Sequence, residues 1–218
     1  MIEIERAGAV WMIRMDNGEN RFNRESVDTL HRHLDEIARQ PGPLALVTTG
    51  AGKFYSNGLD LDWMARAGDD AGPMVGDVQR LLGRLLRFPA LTVAAVNGHA
   101  FAAGAMFASA HDVVVMRDDR GYWCLPEVDL GLPLPEAMFA VLAAKLPHAT
   151  LHEASLTGRR YTAADGLAAG IVHHAVPEDV VVDRAVELAT AAAAKNRSII
   201  SEHKRLMYGP AAASCGVP

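Results

Sequence analysis

The chain reads as an α/β protein with a parallel sheet, and three observations carry that reading. Leu44 to Thr48, Leu91 to Ala95 and Asp112 to Met116 are short, largely apolar runs of the kind that form strands covered on both faces. Segments with apolar residues at helical spacing lie between them. The first two runs also lead straight into glycine-containing turns, as strands do when they hand the chain to a crossover. Repeated alternation of this kind implies right-handed strand–helix–strand connections.

Taken in order, Ile2 to Glu5 and Ala9 to Met15 predict a hairpin about Gly8. Arg24 to Arg39 places Val27, Leu30, Leu34 and Ile37 on one face, which predicts an amphipathic helix. Leu44 to Thr48 delivers the chain to the turn Phe54-Tyr55-Ser56-Asn57-Gly58-Leu59-Asp60. Met74 to Leu86 is helical by Val78, Leu81, Leu82 and Leu85, and Pro89 stops it. Leu91 to Ala95 feeds the second turn, Asn97-Gly98-His99-Ala100-Phe101-Ala102-Ala103-Gly104, where Gly104 opens a small helix. Leu134 to Ala144 is the next helix. Helices follow at Ala163 to Ala169, Asp179 to Ala194 and Arg197 to Tyr208, with a strand at Ile171 to His174. Gly209 to Pro218 has no apolar period. The expected organisation is a core domain over 1–195 and a shortened C-terminal helix with an irregular tail over 196–218.

Composition narrows the function classes. The chain has 218 residues, 50% of them hydrophobic, enough for one sizeable core. A net charge of −5 argues against a nucleic-acid surface, and no apolar run approaches the roughly 20 residues that span a bilayer. Two cysteines without a signal peptide suit a reducing, cytoplasmic setting. The nine histidines show no metal-ligand spacing, so no metal site is expected.

The chemistry is carried by the two turns and by Glu127 in Leu125-Pro126-Glu127-Val128-Asp129-Leu130-Gly131. Removing a proton beside a carbonyl puts negative charge on the oxygen, and a fixed donor aimed at that charge is worth roughly 3 kcal/mol or more. Small residues are needed there, because a backbone approaches a ligand closely only where no bulky side chain intervenes. Asn57-Gly58 and Ala102-Ala103-Gly104 meet that need, and a carboxylate beyond them is placed to move the proton.

At these residues the chain resembles the crotonase family, also called the enoyl-CoA hydratase and isomerase family. Gly52 to Leu61 is similar to its first oxyanion turn, in which Leu59 donates, and Val93 to Gly104 to its second, in which Ala103 donates. The resemblance runs from about residue 2 to about residue 207. It implies a spiral of ββα units with a helical C-terminal region, a CoA thioester as substrate, no cofactor, and a homotrimer or dimer of trimers.

One departure speaks to the reaction. Family members that add water use two acids, and the position of the first, on the helix after the second turn, is Met106 here. Glu127 stands where the second belongs. The wording around Tyr55 to Asp60 and Pro126 to Pro135 resembles the monofunctional delta-3, delta-2 enoyl-CoA isomerases, in which one Glu is the only base. The resemblance thus makes Glu127 the base and Leu59 and Ala103 the oxyanion donors, with hydratase activity weak or absent. It places Arg21, Ser56 and Asn57 toward the CoA, and Gly58, Asp60, Leu61 and Gly104 are further candidates against the substrate, while Trp63, Met64, Met106, Leu130, Leu132 and Leu134 are candidates for the acyl wall. Asp60 is also suited to cap the helix that follows it. Asp129 would share a side with Glu127 in extended chain and is a candidate second acid. Other acyl-CoA reactions on the same scaffold, such as hydration, thioester hydrolysis or decarboxylation, and a silent acyl-CoA binder remain as alternatives.

Overall fold

The computed structural model describes residues 1–218. Strands β1 (Ile2–Ala7) and β2 (Val10–Met15) form an antiparallel hairpin through Gly8. Helix α1 (Arg24–Ala38) buries Val27, Leu30, Leu34 and Ile37, the stripe its spacing predicts. Asn23 closes its N-terminus in a capping box with Ser26.

Three successive turns of chain then repeat one pattern. The first gives β3 (Ala45–Gly50), β4 (Phe54–Ser56), α2 (Leu61–Ala67) and α3 (Ala71–Leu86). The second gives β5 (Leu91–Val96), β6 (His99–Phe101) and α4 (Ala103–Ala110). The third gives β7 (Val113–Arg117), β8 (Trp123–Cys124), α5 (Glu127–Leu130) and α6 (Glu136–Lys145). Helices α7 (His148–Thr157) and α8 (Ala163–Ala168), strand β9 (His174–Val176), and helices α9 (Val181–Ala193) and α10 (Arg197–Ser214) complete the chain. The long strands form one sheet, β1-β2-β3-β5-β7-β9, and the short ones a second, β4-β6-β8, whose pairs are parallel. This is the expected spiral of ββα units. No helix is long and apolar enough to cross a membrane.

The main core lies between one face of the large sheet and α1, α3, α4 and α6. On the other face, Ala45, Val47, Val93, Ala95 and Val115 meet Val181, Ala185, Ala189 and Ala193 of α9. The four-residue spacing of those small side chains lets α9 lie flat on the strands. The centre of β3 is therefore covered on both faces, as its unbroken apolar run predicts. Within the main core, Thr48 Oγ1 lies 2.7 Å from Tyr55 Oη and 2.9 Å from His111 Nε2, and His111 Nδ1 lies 2.8 Å from Phe107 O. Burial pushes His111 down to about 4, so the ring is neutral, donates to Phe107 and accepts from Thr48. This chain ties α4 to β3 and β4.

Two C-terminal expectations need correction. The strand expected at Ile171 to His174 is β9, beginning at His174, because Ile171 and Val172 turn into the core and their amides bond Gly166 O. The last helix does not stop at Tyr208 but continues through Pro210 to Ser214, so much of the expected irregular tail is helical. Tertiary packing overrides the proline there: a Cβ on Gly83 of α3 would lie 2.7 Å from Cys215 Cβ, so the glycine makes room for the chain end. Lys204 fastens the same helix to the sheet, reaching Ala90 O at 2.8 Å and Asp112 Oδ2 at 2.6 Å.

Candidate active site

The site forms where the three short parallel strands end. The third residue after β4 is Leu59, the second after β6 is Ala103 and the third after β8 is Glu127. Neighbouring strands lie about 4.8 Å apart, so the small sheet spaces these three groups across the width of a small ligand. All three line one cavity of about 500 Å³.

In the first turn nearly every amide is spoken for. Asn57 N donates to Glu19 O, Gly58 N to Ser56 Oγ, and Asp60 N to Phe22 O, while Phe22 N donates to Gly58 O. Leu59 N–H has no partner within the chain. Gly58 has φ +82°, and a Cβ there would lie 2.9 Å from Ala102 Cβ and 3.2 Å from Ala103 N. Only glycine lets the first turn come this close to the second.

In the second turn Ala102 N donates to Cys124 O, and α4 begins at Ala103, whose N–H is unpaired, as expected of an initial helical residue. Gly104 allows α4 to press on the first turn, since a Cβ there would lie 2.3 Å from Ser56 O. Aligned helix dipoles put about half a positive charge at such an N-terminus. Two unpaired amides, one from each turn, thus lie side by side at the cavity wall, an arrangement able to hold an anionic oxygen.

Glu127 opens the single turn α5 after Pro126. Its Oε2 is buried without a hydrogen-bond partner, and loss of hydration raises the carboxyl above the ordinary glutamate range, partly offset by its own backbone amide. It is the only carboxylate lining the cavity. Met106, 1% exposed, lines the same cavity and offers no proton.

Of the residues expected at the substrate, Arg21, Asn57, Leu61 and Leu130 also reach the cavity. Ser56, Gly58, Asp60 and Gly104 do not, and instead build the turns behind it. Asp60 accepts from Trp63 N at 3.0 Å and caps α2. Arg21 is not a free cation: Glu19 pairs with it at 2.7 Å and Asp62 at 3.4 Å. Met64, Leu132 and Leu134 join the wall, whereas Trp63 does not. The sequence reading missed Val75 and Met138, which the helical phase of α3 and α6 places on the cavity, and Phe101, which follows from alternation along β6.

Asp129 needs correction. Because 127–130 is helical rather than extended, residue 129 turns away from residue 127. Its carboxylate instead faces Gly158 at the end of α7, where an added Cβ would meet Oδ2 at 2.5 Å. Cys124 Sγ bonds Gly158 O at 3.3 Å, and burial pushes the thiol up to about 11, so no thiolate is present at neutral pH.

The family model described as "Enoyl-CoA hydratase/isomerase" matches residues 5–213. The chain belongs to this family. Among its relatives are two Arabidopsis thaliana proteins. Enoyl-CoA delta isomerase 3 is 35% identical, over 95% of this chain and 92% of that protein. Enoyl-CoA delta isomerase 2, peroxisomal, is 36% identical over 91% and 87%. A solved enoyl-CoA hydratase from Mycobacterium marinum superposes with a TM-score of 0.90 at 26% identity, covering 98% of this chain and 94% of that one. The fold is therefore the crotonase fold, and family membership makes this chain a kin of both isomerases and hydratases.

Proposed function

We propose that this chain is an isomerase that moves the double bond of a 3-enoyl-CoA to give the trans-2-enoyl-CoA. The supporting observation is that a single proton-transfer group, Glu127, faces the cavity that also receives the two unpaired amides. The Glu127 carboxylate takes a proton from the α-carbon, and the C–H electron pair passes into a dienolate. The thioester oxygen, now negative, is held by the Leu59 and Ala103 N–H groups. Glu127 returns the proton to the γ-carbon, leaving the double bond between the α- and β-carbons. No redox or metal cofactor enters this sequence, and CoA acts as the handle of the substrate.

Hydration asks for more, a group to activate water and another to deliver a proton. Met106 cannot serve, and Asp129 faces α7. The similarity to enoyl-CoA delta isomerases 2 and 3 of Arabidopsis thaliana supports the same choice.

The test is Glu127→Gln assayed with 3-hexenoyl-CoA, following formation of the conjugated thioester. Loss of one general base costs about 10²- to 10⁴-fold, and a drop of that size in kcat is expected. Turnover equal to that of the unaltered protein would remove Glu127 from the mechanism. Rapid addition of water to crotonyl-CoA by the unaltered protein would overturn the choice of reaction instead.

A further inference from the structure

Leu59 sits in a turn whose central residue, Gly58, has no side chain to hold it, so the direction of the Leu59 N–H depends on what anchors the flanking residues. Apart from the β4–β6 pairing at Ser56, the Asn23 contact to Asp60 and the start of α2, the anchors come from the segment 19–22. Phe22 brackets the turn on one side, accepting from Asp60 N and donating to Gly58 O. Asn20 O accepts from Ser56 Oγ at 2.8 Å. On the other side Asn57 is tied to Glu19 twice, through its amide to Glu19 O at 3.0 Å and through Nδ2 to Glu19 Oε2 at 2.8 Å. The same Oε2 accepts from Arg21 Nε at 2.7 Å. Asn57 and Arg21 both line the cavity, and Glu19 stands behind them.

We propose that Glu19 is a positioning residue: by gripping Asn57 it fixes the Leu59 N–H on the cavity, and it acts on the reaction only through that amide. The inference rests on the isomerase reading for its kinetic test, though not for its structural one. Hydrogen bonds from Asn57 and then Arg21 hold the Glu19 carboxyl below its ordinary range, so it is charged at any assay pH near neutral. The side chain is 43% exposed, and ion pairs of that kind contribute only about 0–1 kcal/mol to stability. Its removal therefore spares the fold, which separates positioning from mere support.

Misplacing a reacting group by about 1 Å can cost on the order of 10²-fold. Glu19→Ala is expected to lower kcat on 3-hexenoyl-CoA by about 10- to 100-fold while moving Tm by no more than about 4 °C. Glu19→Gln keeps a carbonyl acceptor for Asn57 Nδ2 and should restore most of kcat. Asn57→Ala should reproduce the loss, and the Glu19→Ala, Asn57→Ala pair should fall no further than either alone, because the two act as one unit. Unchanged kcat in Glu19→Ala, losses that multiply in the pair, or the same loss from Arg21→Ala but not Asn57→Ala would each overturn the proposal. The Leu59 amide cross-peak in ¹⁵N-leucine-labelled protein gives a readout independent of turnover. It should shift in Glu19→Ala and return in Glu19→Gln. A cross-peak that stays in place sinks the proposal even if the protein catalyses some other reaction, whereas a shifted peak without isomerase turnover leaves it standing and removes the isomerase reading alone.

Discussion

Glu127 carries its reactivity in its lack of company. A carboxylate with hydrogen bonds on both oxygens is a poor base, whereas one oxygen of this side chain is buried and unpaired. Since dehydration raises its pKa, kcat/KM should climb with pH through an inflection above the ordinary glutamate value of about 4.3. An inflection at or below that value would contradict the burial argument. The linkage has a definite sign: a carboxyl whose folded pKa is raised favours the folded state below its unfolded pKa and loses that contribution as pH rises through the folded one. Glu127→Gln should therefore gain in Tm relative to the unaltered protein as pH rises from below the ordinary glutamate value of about 4.3 through the raised folded one. Ala102 is a second residue with a local cost, at φ 50° and ψ −126°. Such a conformation costs a non-glycine residue about 1–3 kcal/mol, against roughly 0.4–1 kcal/mol of added unfolded-state entropy for glycine. Strain wins, so Ala102→Gly should raise Tm by a few degrees, and a lowered Tm would refute the strain. At this scale the glycine-containing turns and the Pro-Glu segment were legible from their small and punctuating residues, and the resemblance singled out Leu59, Ala103 and Glu127, which the fold brings to one cavity. Asp129 was misread because a single helical turn reverses the side that extended chain would give. The Glu19–Asn57 contact joins residues 38 apart in sequence, and no local pattern encodes it.

Among the elements, α10 depends most on groups far from it. Lys204 is 3% exposed and shares Asp112 Oδ2 with Thr92 N at 2.7 Å and Thr92 Oγ1 at 3.0 Å. Stripping a buried charge of its partner costs about 3–5 kcal/mol, so Asp112→Asn should lower Tm by roughly 10 °C. Adding Lys204→Met should recover much of that loss, since the asparagine still accepts from Thr92 and no lone charge is left inside. A double variant no more stable than Asp112→Asn would show that the ion pair is not what holds the helix. Helices α1 and α3 were legible because one stripe of each meets the core. Helix α7 buries only Thr150, Leu151 and Ala154 and announces itself chiefly through Pro147 before it and Gly158 after it. Strands β4, β6 and β8 span two or three residues, too few for any period to register. The end of α10 was hidden by Pro210, whose local effect is outweighed by Ala212 and Cys215 packing under Gly83.

For the whole molecule, alternation of apolar strands and amphipathic helices was enough to predict the class, and the quoted turns carried the resemblance to the spiral. The second sheet was not legible, yet it locates the chemistry. Parallel sheets place ligands at the carboxyl ends of their strands, and here three consecutive windings each end in one working part. Division of labour along the chain follows. In the proposed reaction the clamp for charge comes from the first two windings and the proton carrier from the third. The acids that set the reaction can therefore change at either of two places, Met106 in the second winding or Glu127 in the third, while the backbone of both turns stays as it is.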